Sequence, residues 1–113
     1  MMIKRAMCGL AFLAASLSPV AADEAMTAKQ ILKLAPGTFQ AVVKGKYQLT
    51  VILGRDGSAV GKAQGLIDKG RWTVRDDQLC IVLPTWTRGR VECSAVVADN
   101  GWYHSRSVSF RRL

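Results

Sequence analysis

The chain has 113 residues and carries 16 Lys and Arg against 8 Asp and Glu, a formal charge of +8 with a single histidine. That length holds one domain and excludes two of ordinary size, and a hydrophobic share of 50% excludes a polar disordered chain. One histidine and three cysteines leave too few ligands at short spacing for a metal site, while the positive balance favours anionic partners.

Lys4 and Arg5 open the chain with positive charge, Gly9 to Leu17 form a short apolar run, and Pro19-Val20-Ala21-Ala22 ends in small residues. This is the three-part pattern of a cleaved export signal. The apolar stretch from Ala6 to Val20 is about 15 residues and is interrupted by Ser16, Ser18 and Pro19, short of the ~20 that a spanning helix needs. We expect residues 1–22 to be a signal peptide cut after Ala22, taking Cys8 with it. Residues 23–113 then form a single β domain, periplasmic or secreted, with no transmembrane segment in the mature chain. Without Lys4 and Arg5 its formal charge is +6.

Thr27-Ala28-Lys29-Gln30 has capping-box spacing, Ile31 and Leu34 share one helical face, and Pro36-Gly37 stops the element. A short helix over 28–34 is expected, with its Ile31/Leu34 stripe docked on the end or face of a sheet. From Thr38 the period becomes two. Phe39, Ala41 and Val43, and after Gly45 Tyr47, Leu49, Val51 and Leu53, are expected on the core face. Gly54-Arg55-Asp56-Gly57 reads as a hairpin turn. Ser58 to Ala63 reads as a thinner strand that Gly61 and Gly65 let bend or lie at an edge.

Asp68-Lys69-Gly70 reads as a further turn, after which Arg71 to Arg75 alternates, sending Trp72 and Val74 one way and both arginines the other. Asp76-Asp77-Gln78 is another turn. Leu79 to Leu83 is an apolar run buried on both sides or backed by the helix. The loop Pro84 to Gly89 leads into a strand over 90–97, with Val91, Cys93, Ala95 and Val97 on one side. Asn100-Gly101 is a strong hairpin signal, and Trp102 to Ser105 and Val108 to Arg111 close the chain as two strands or one bulged strand. The whole reads as mainly β, a small antiparallel barrel or sandwich of about six to eight strands with one short N-terminal helix.

Cys80 and Cys93 fall on neighbouring antiparallel strands in a compartment where pairing is the default, so a Cys80–Cys93 disulfide is expected. Chain-entropy estimates give ~3 kcal/mol for closing a loop of about 15 residues. The order Thr27-Ala28-Lys29-Gln30-Ile31-Leu32, Pro36-Gly37-Thr38, Gly70-Arg71-Trp72, Gln78-Leu79-Cys80 and Cys93 resembles a group of small exported bacterial proteins of unknown function. The resemblance implies a short helix before a β domain and an exported protein, and it carries over no catalytic residue.

Function rests on fewer signals. Strand alternation places His104 opposite to Tyr103 and Ser105, which argues for a packing or surface histidine over a catalytic one. The aspartates fall in predicted turns, where Asp serves backbone hydrogen bonding, and phosphate-loop, nucleophile-elbow and metalloprotease motifs are absent from the sequence. Trp72 and Trp102 read as core. Trp86 lies in a loop beside Arg88 and Arg90, where it either stacks on a ligand whose anionic group the arginines pair with or folds back over the disulfide. With the outward Arg71 and Arg75, the Trp86/Arg88/Arg90 loop is the candidate contact site. The expected protein is not an enzyme and has no cofactor and no metal. It is a binding or envelope-associated module for an envelope protein, an anionic glycan or a membrane surface, with nucleic acid disfavoured by compartment. A small periplasmic hydrolase inhibitor, or an enzyme using His104, is the alternative.

Overall fold

The computed structural model describes residues 24–113; the expected signal peptide, its cleavage point and Cys8 lie outside them. Helix α1, Ala28–Leu32, begins as the capping box requires. The Gln30 N–H donates to the Thr27 hydroxyl at 3.2 Å, and the Thr27 N–H donates to Gln30 Oε1 at 2.9 Å. The helix ends two residues earlier than expected, but its last turn is continued by Lys33 and Leu34 N–H groups bonding three residues back. Ile31 and Leu34 are both buried, at 0% and 2% exposure. Replacing Thr27 with alanine is expected to lower stability by about 1 kcal/mol, seen as a reduced urea midpoint with unchanged slope.

The strands are β1 (Gly37–Val43), β2 (Tyr47–Leu53), β3 (Ser58–Ala63), β4 (Leu66–Arg75), β5 (Gln78–Val82), β6 (Glu92–Ser94), β7 (Val97–Asp99), β8 (Trp102–His104) and β9 (Val108–Arg112). They form one antiparallel sheet in the order β6-β5-β4-β3-β2-β1-β9-β8-β7, curled into a half-barrel. Nine strands exceed the expected six to eight. The extra one arises where the single strand expected over 90–97 divides at Ala95–Val96. There Val96, fully buried, turns into the core, and the predicted alternation fails. Because β6 and β7 are consecutive in the chain, the two ends of the strand order meet at this kink. The Arg106 N–H donates to Ser94 Oγ at 2.9 Å, the Met26 N–H donates to the Val96 carbonyl at 2.7 Å, and Ala25 bridges to Val97. These bonds cover edges that would otherwise stay open to other chains.

Partners across the ladder share a face, so burial sorts the two sides. Phe39, Val51, Gly61 and Asp68 stand in register on β1 to β4 and face inward. Trp72 and Val74 pair with Ile81 and Leu79 on the same inner face, leaving Arg71, Thr73 and Arg75 outside as expected. Cys80 pairs with Thr73 and with Cys93, so the Cys80–Cys93 disulfide lies on the outer face. Trp102 corrects the sequence reading: it pairs with Asp99 and Arg111 on the outer face, and the Arg111 guanidinium lies 5.4 Å from its ring centre. The inner position is taken by Tyr103, against Phe110 and Phe39.

Two further expectations fail together. The turn placed at Asp68-Lys69-Gly70 is instead at Gln64-Gly65, both with positive φ, and β4 runs unbroken through Asp68 to Arg75. Nor is β3 at an edge, for it pairs with β2 and β4. Strand directions then give the half-barrel two distinct ends. The Gly54–Gly57, Asp76-Asp77 and Asn100-Gly101 turns share one end with α1, which packs against β4 and β5. The turns at 44–46, 64–65 and 105–107 and the long connection 83–91 share the opposite end, called the loop end below.

Candidate functional site

The connection from β5 to β6 folds on itself: the Thr87 hydroxyl donates to the Leu83 carbonyl and accepts from the Leu83 N–H, both at 2.9 Å. Arg88 and Gly89 then turn the chain with positive φ. What fixes this loop is Asp68, 3% exposed and the one buried charged residue among those described. Its Oδ2 accepts the N–H groups of Thr85 at 2.9 Å and Trp86 at 3.0 Å, and its Oδ1 accepts Thr85 again at 3.1 Å. A buried carboxylate is costly unless such donors replace its water.

The Asp68 clamp turns Trp86 inward over Gly61 of β3, where a Cβ would run into the indole ring. Trp86 therefore packs on the inner face at the loop end, while the disulfide, which one of the two sequence readings had it cover, lies on the outer one. It keeps 37% of its surface exposed. Arg88 and Arg90 are exposed on the same loop. Around the loop end the sheet order continues to the Gln64-Gly65 turn, then to Lys44 and Lys46, then to Arg106, whose bond to Ser94 closes the circuit. Of the acidic residues here, Asp68 is buried and Glu92 alone is exposed. Tyr47, Leu66 and Ile67, all exposed large hydrophobics, start β2 and β4 at this end.

Arg71 and Arg75 do not join this group. They line a cleft of about 440 Å³ on the outer face with Arg55, Asp56, Leu32 and Val91, beside Cys80 of the disulfide. The Ser58 side chain, and next its N–H, hold the Asp56 carboxyl below the usual range, with Arg71 adding to the shift. The predicted five-residue site thus divides into a loop-end set, Trp86, Arg88 and Arg90, and an outer-face set, Arg71 and Arg75.

His104 faces opposite to Tyr103, as alternation required, but it finds a serine the sequence reading did not consider. Its Nδ1 is 2.9 Å from Ser109 Oγ, on the neighbouring strand in direct register, and its Nε2 is 3.7 Å from Asp99 Oδ2. The His104 and Asp99 side chains are 43% and 60% exposed. In so wet a setting a serine, histidine and aspartate gain little of the electrostatic help that catalysis draws from an enclosed site.

The mainly β class, the half-barrel and the Cys80–Cys93 bond describe the protein structurally. No family model, no curated protein and no solved structure matches the chain. Among the described residues no helix is long and apolar enough to cross a membrane.

Proposed function

We propose that this protein is a non-catalytic periplasmic or secreted binding module that holds an anionic component of the cell envelope at its loop end. The observation that carries the reading is the rigid presentation of Trp86, Arg88 and Arg90 by the Asp68 clamp, with Lys44, Lys46 and Arg106 on adjoining turns. A loop held by a buried carboxylate gives up little conformational entropy on binding, and guanidinium groups beside an exposed ring edge suit an anion with an apolar or planar neighbour. Export supports the choice of an envelope component, since the leading residues have the pattern of a cleaved signal and the disulfide suits an oxidising compartment.

The test is retention on envelope fractions. Changing Trp86→Ala together with Arg88→Ala is expected to release the protein into the soluble fraction. Because Trp86 also covers Gly61, Arg88→Ala with Arg90→Ala serves as a companion that leaves the packing intact. Unchanged retention of both variants would sink the proposal.

A further inference from the structure

We infer that the loop end is a docking face for the surface of an anionic lipid bilayer. The inference rests on the proposed function and narrows its anionic component to phospholipid headgroups. Two independent features of the rim meet at one end of the sheet. The first is charge: Lys44, Lys46, Arg88, Arg90 and Arg106 stand on the turns, with Glu92 the one exposed acid, whereas the helix end alternates cations with Glu24, Asp56, Asp76, Asp77 and Asp99. The second is apolar surface. Tyr47, Leu66, Ile67 and Trp86 are exposed by between 37% and 59%, and all four lie at the loop end, at strand starts or on the long loop.

An anionic bilayer is complementary to both features at once. Cations near its surface gain from the negative potential of the headgroups, and the neighbouring apolar and aromatic tips enter the headgroup and upper acyl region. A soluble acidic glycan would engage the cations but would leave Leu66 and Ile67 in water. Tyr47 and Trp86 have the amphipathic rings that settle at this boundary. The hairpins set the depth: β1 pairs with β2 as far as Val43 and Tyr47, and β3 with β4 as far as Ala63 and Leu66, so side-chain tips enter and the sheet stays outside.

The experiment measures partition of the purified protein onto vesicles of phosphatidylglycerol with phosphatidylcholine, against vesicles of phosphatidylcholine alone. Binding to the first and not the second is expected, weakening as salt shortens the screening length. Each cation near the surface contributes about fivefold, so Arg88→Ala with Arg90→Ala is expected to lower the partition coefficient about 25-fold. Lys29→Ala with Lys33→Ala, an equal charge change on α1 and its C-cap at the other end, is expected to change it less than about twofold, since those groups stay beyond the Debye length. Leu66→Ser with Ile67→Ser is expected to cost about tenfold at every salt concentration. An equal loss from the two charge variants, or no effect of the Leu66/Ile67 pair, overturns the inference. So does failure to bind the anionic vesicles while envelope fractions still retain the protein, an outcome that leaves the broader binding proposal standing. Loss of retention on envelope as well as on vesicles would remove both.

Discussion

Asp68→Ala is expected to destabilise the protein by about 3 kcal/mol and to free the 84–89 loop, because it removes the carboxylate that alone is seen to accept the Thr85 and Trp86 amides, and a hydrogen bond to a charged group contributes ~1.5–3 kcal/mol. With the carboxylate gone the Thr85 and Trp86 amides turn to water, so the loop is expected to swing out and uncover Gly61. Trp86 should then show faster amide exchange and a red-shifted emission, while amides of the β1–β2 ladder keep their protection. Asp68→Asn keeps one acceptor oxygen for the pair of donors and should cost about half as much. Wild-type exchange at Trp86 in the alanine variant would mean that packing on Gly61 holds the loop unaided. Envelope retention should fall in the same variant even though every cation is kept, which separates presentation of the loop from its charge.

Much of the fold was legible because its signals are local. The capping box at Thr27 and Gln30, the two-residue period of β1, β2 and the Trp72 segment, and the Asp76-Asp77 and Asn100-Gly101 turns each depend on a few adjacent residues. Cys80 and Cys93 were pairable because their strands follow one another in the chain and read as antiparallel neighbours. The failures share a different cause: each needs to know what lies across space. Asp68-Lys69-Gly70 has the composition of a turn, yet Asp68 is drawn inside by two amides seventeen and eighteen residues away, and Gly70 sits where the Val82 carbonyl leaves no room for a Cβ. Gly61 marks the seat of an indole ring from a later loop rather than a weak edge strand. Trp102 reads as core by composition, but register gives the inner position to Tyr103.

The candidate site divides along the same line. Trp86, Arg88 and Arg90 were found because they are sequence neighbours, and the outward direction of Arg71 and Arg75 followed from alternation. That these two sets belong to different surfaces was not legible, since strand length and curl decide which end a residue reaches. Lys44 and Lys46 were passed over for the converse reason, and the place of Arg106 beside them was not legible. Each is an ordinary turn cation in its own segment, and only the strand order gathers them into one rim.

Phe39→Ala is expected to have the largest effect on stability, about 4 kcal/mol, in the range found for removing a buried aromatic ring. Phe39 is fully buried and meets Phe110 edge-on at 5.4 Å and Tyr103 at 6.3 Å, so its loss opens a cavity between β1 and the β8–β9 pair. Its other neighbour gives the cavity a second consequence. The Arg112 guanidinium lies 4.9 Å from the Phe39 ring centre while its Nη atoms donate to the carbonyls of Leu34 and Pro36, so the ring supports the bond that ties β9 to the end of the helix segment. The alanine variant should therefore lose protection at Ile31 and Leu34 before the rest of the sheet, whereas Asp68→Ala acts at the loop end. Phe39 and Asp68 are three strands apart, about 14 Å at ~4.8 Å per strand, beyond the range at which substitutions usually couple. The milder pair Phe39→Leu and Asp68→Asn should thus add to within about 0.5 kcal/mol in urea unfolding; a larger coupling would mean that the two ends of the half-barrel do not hold independently and that the loop's rigidity depends on the whole core.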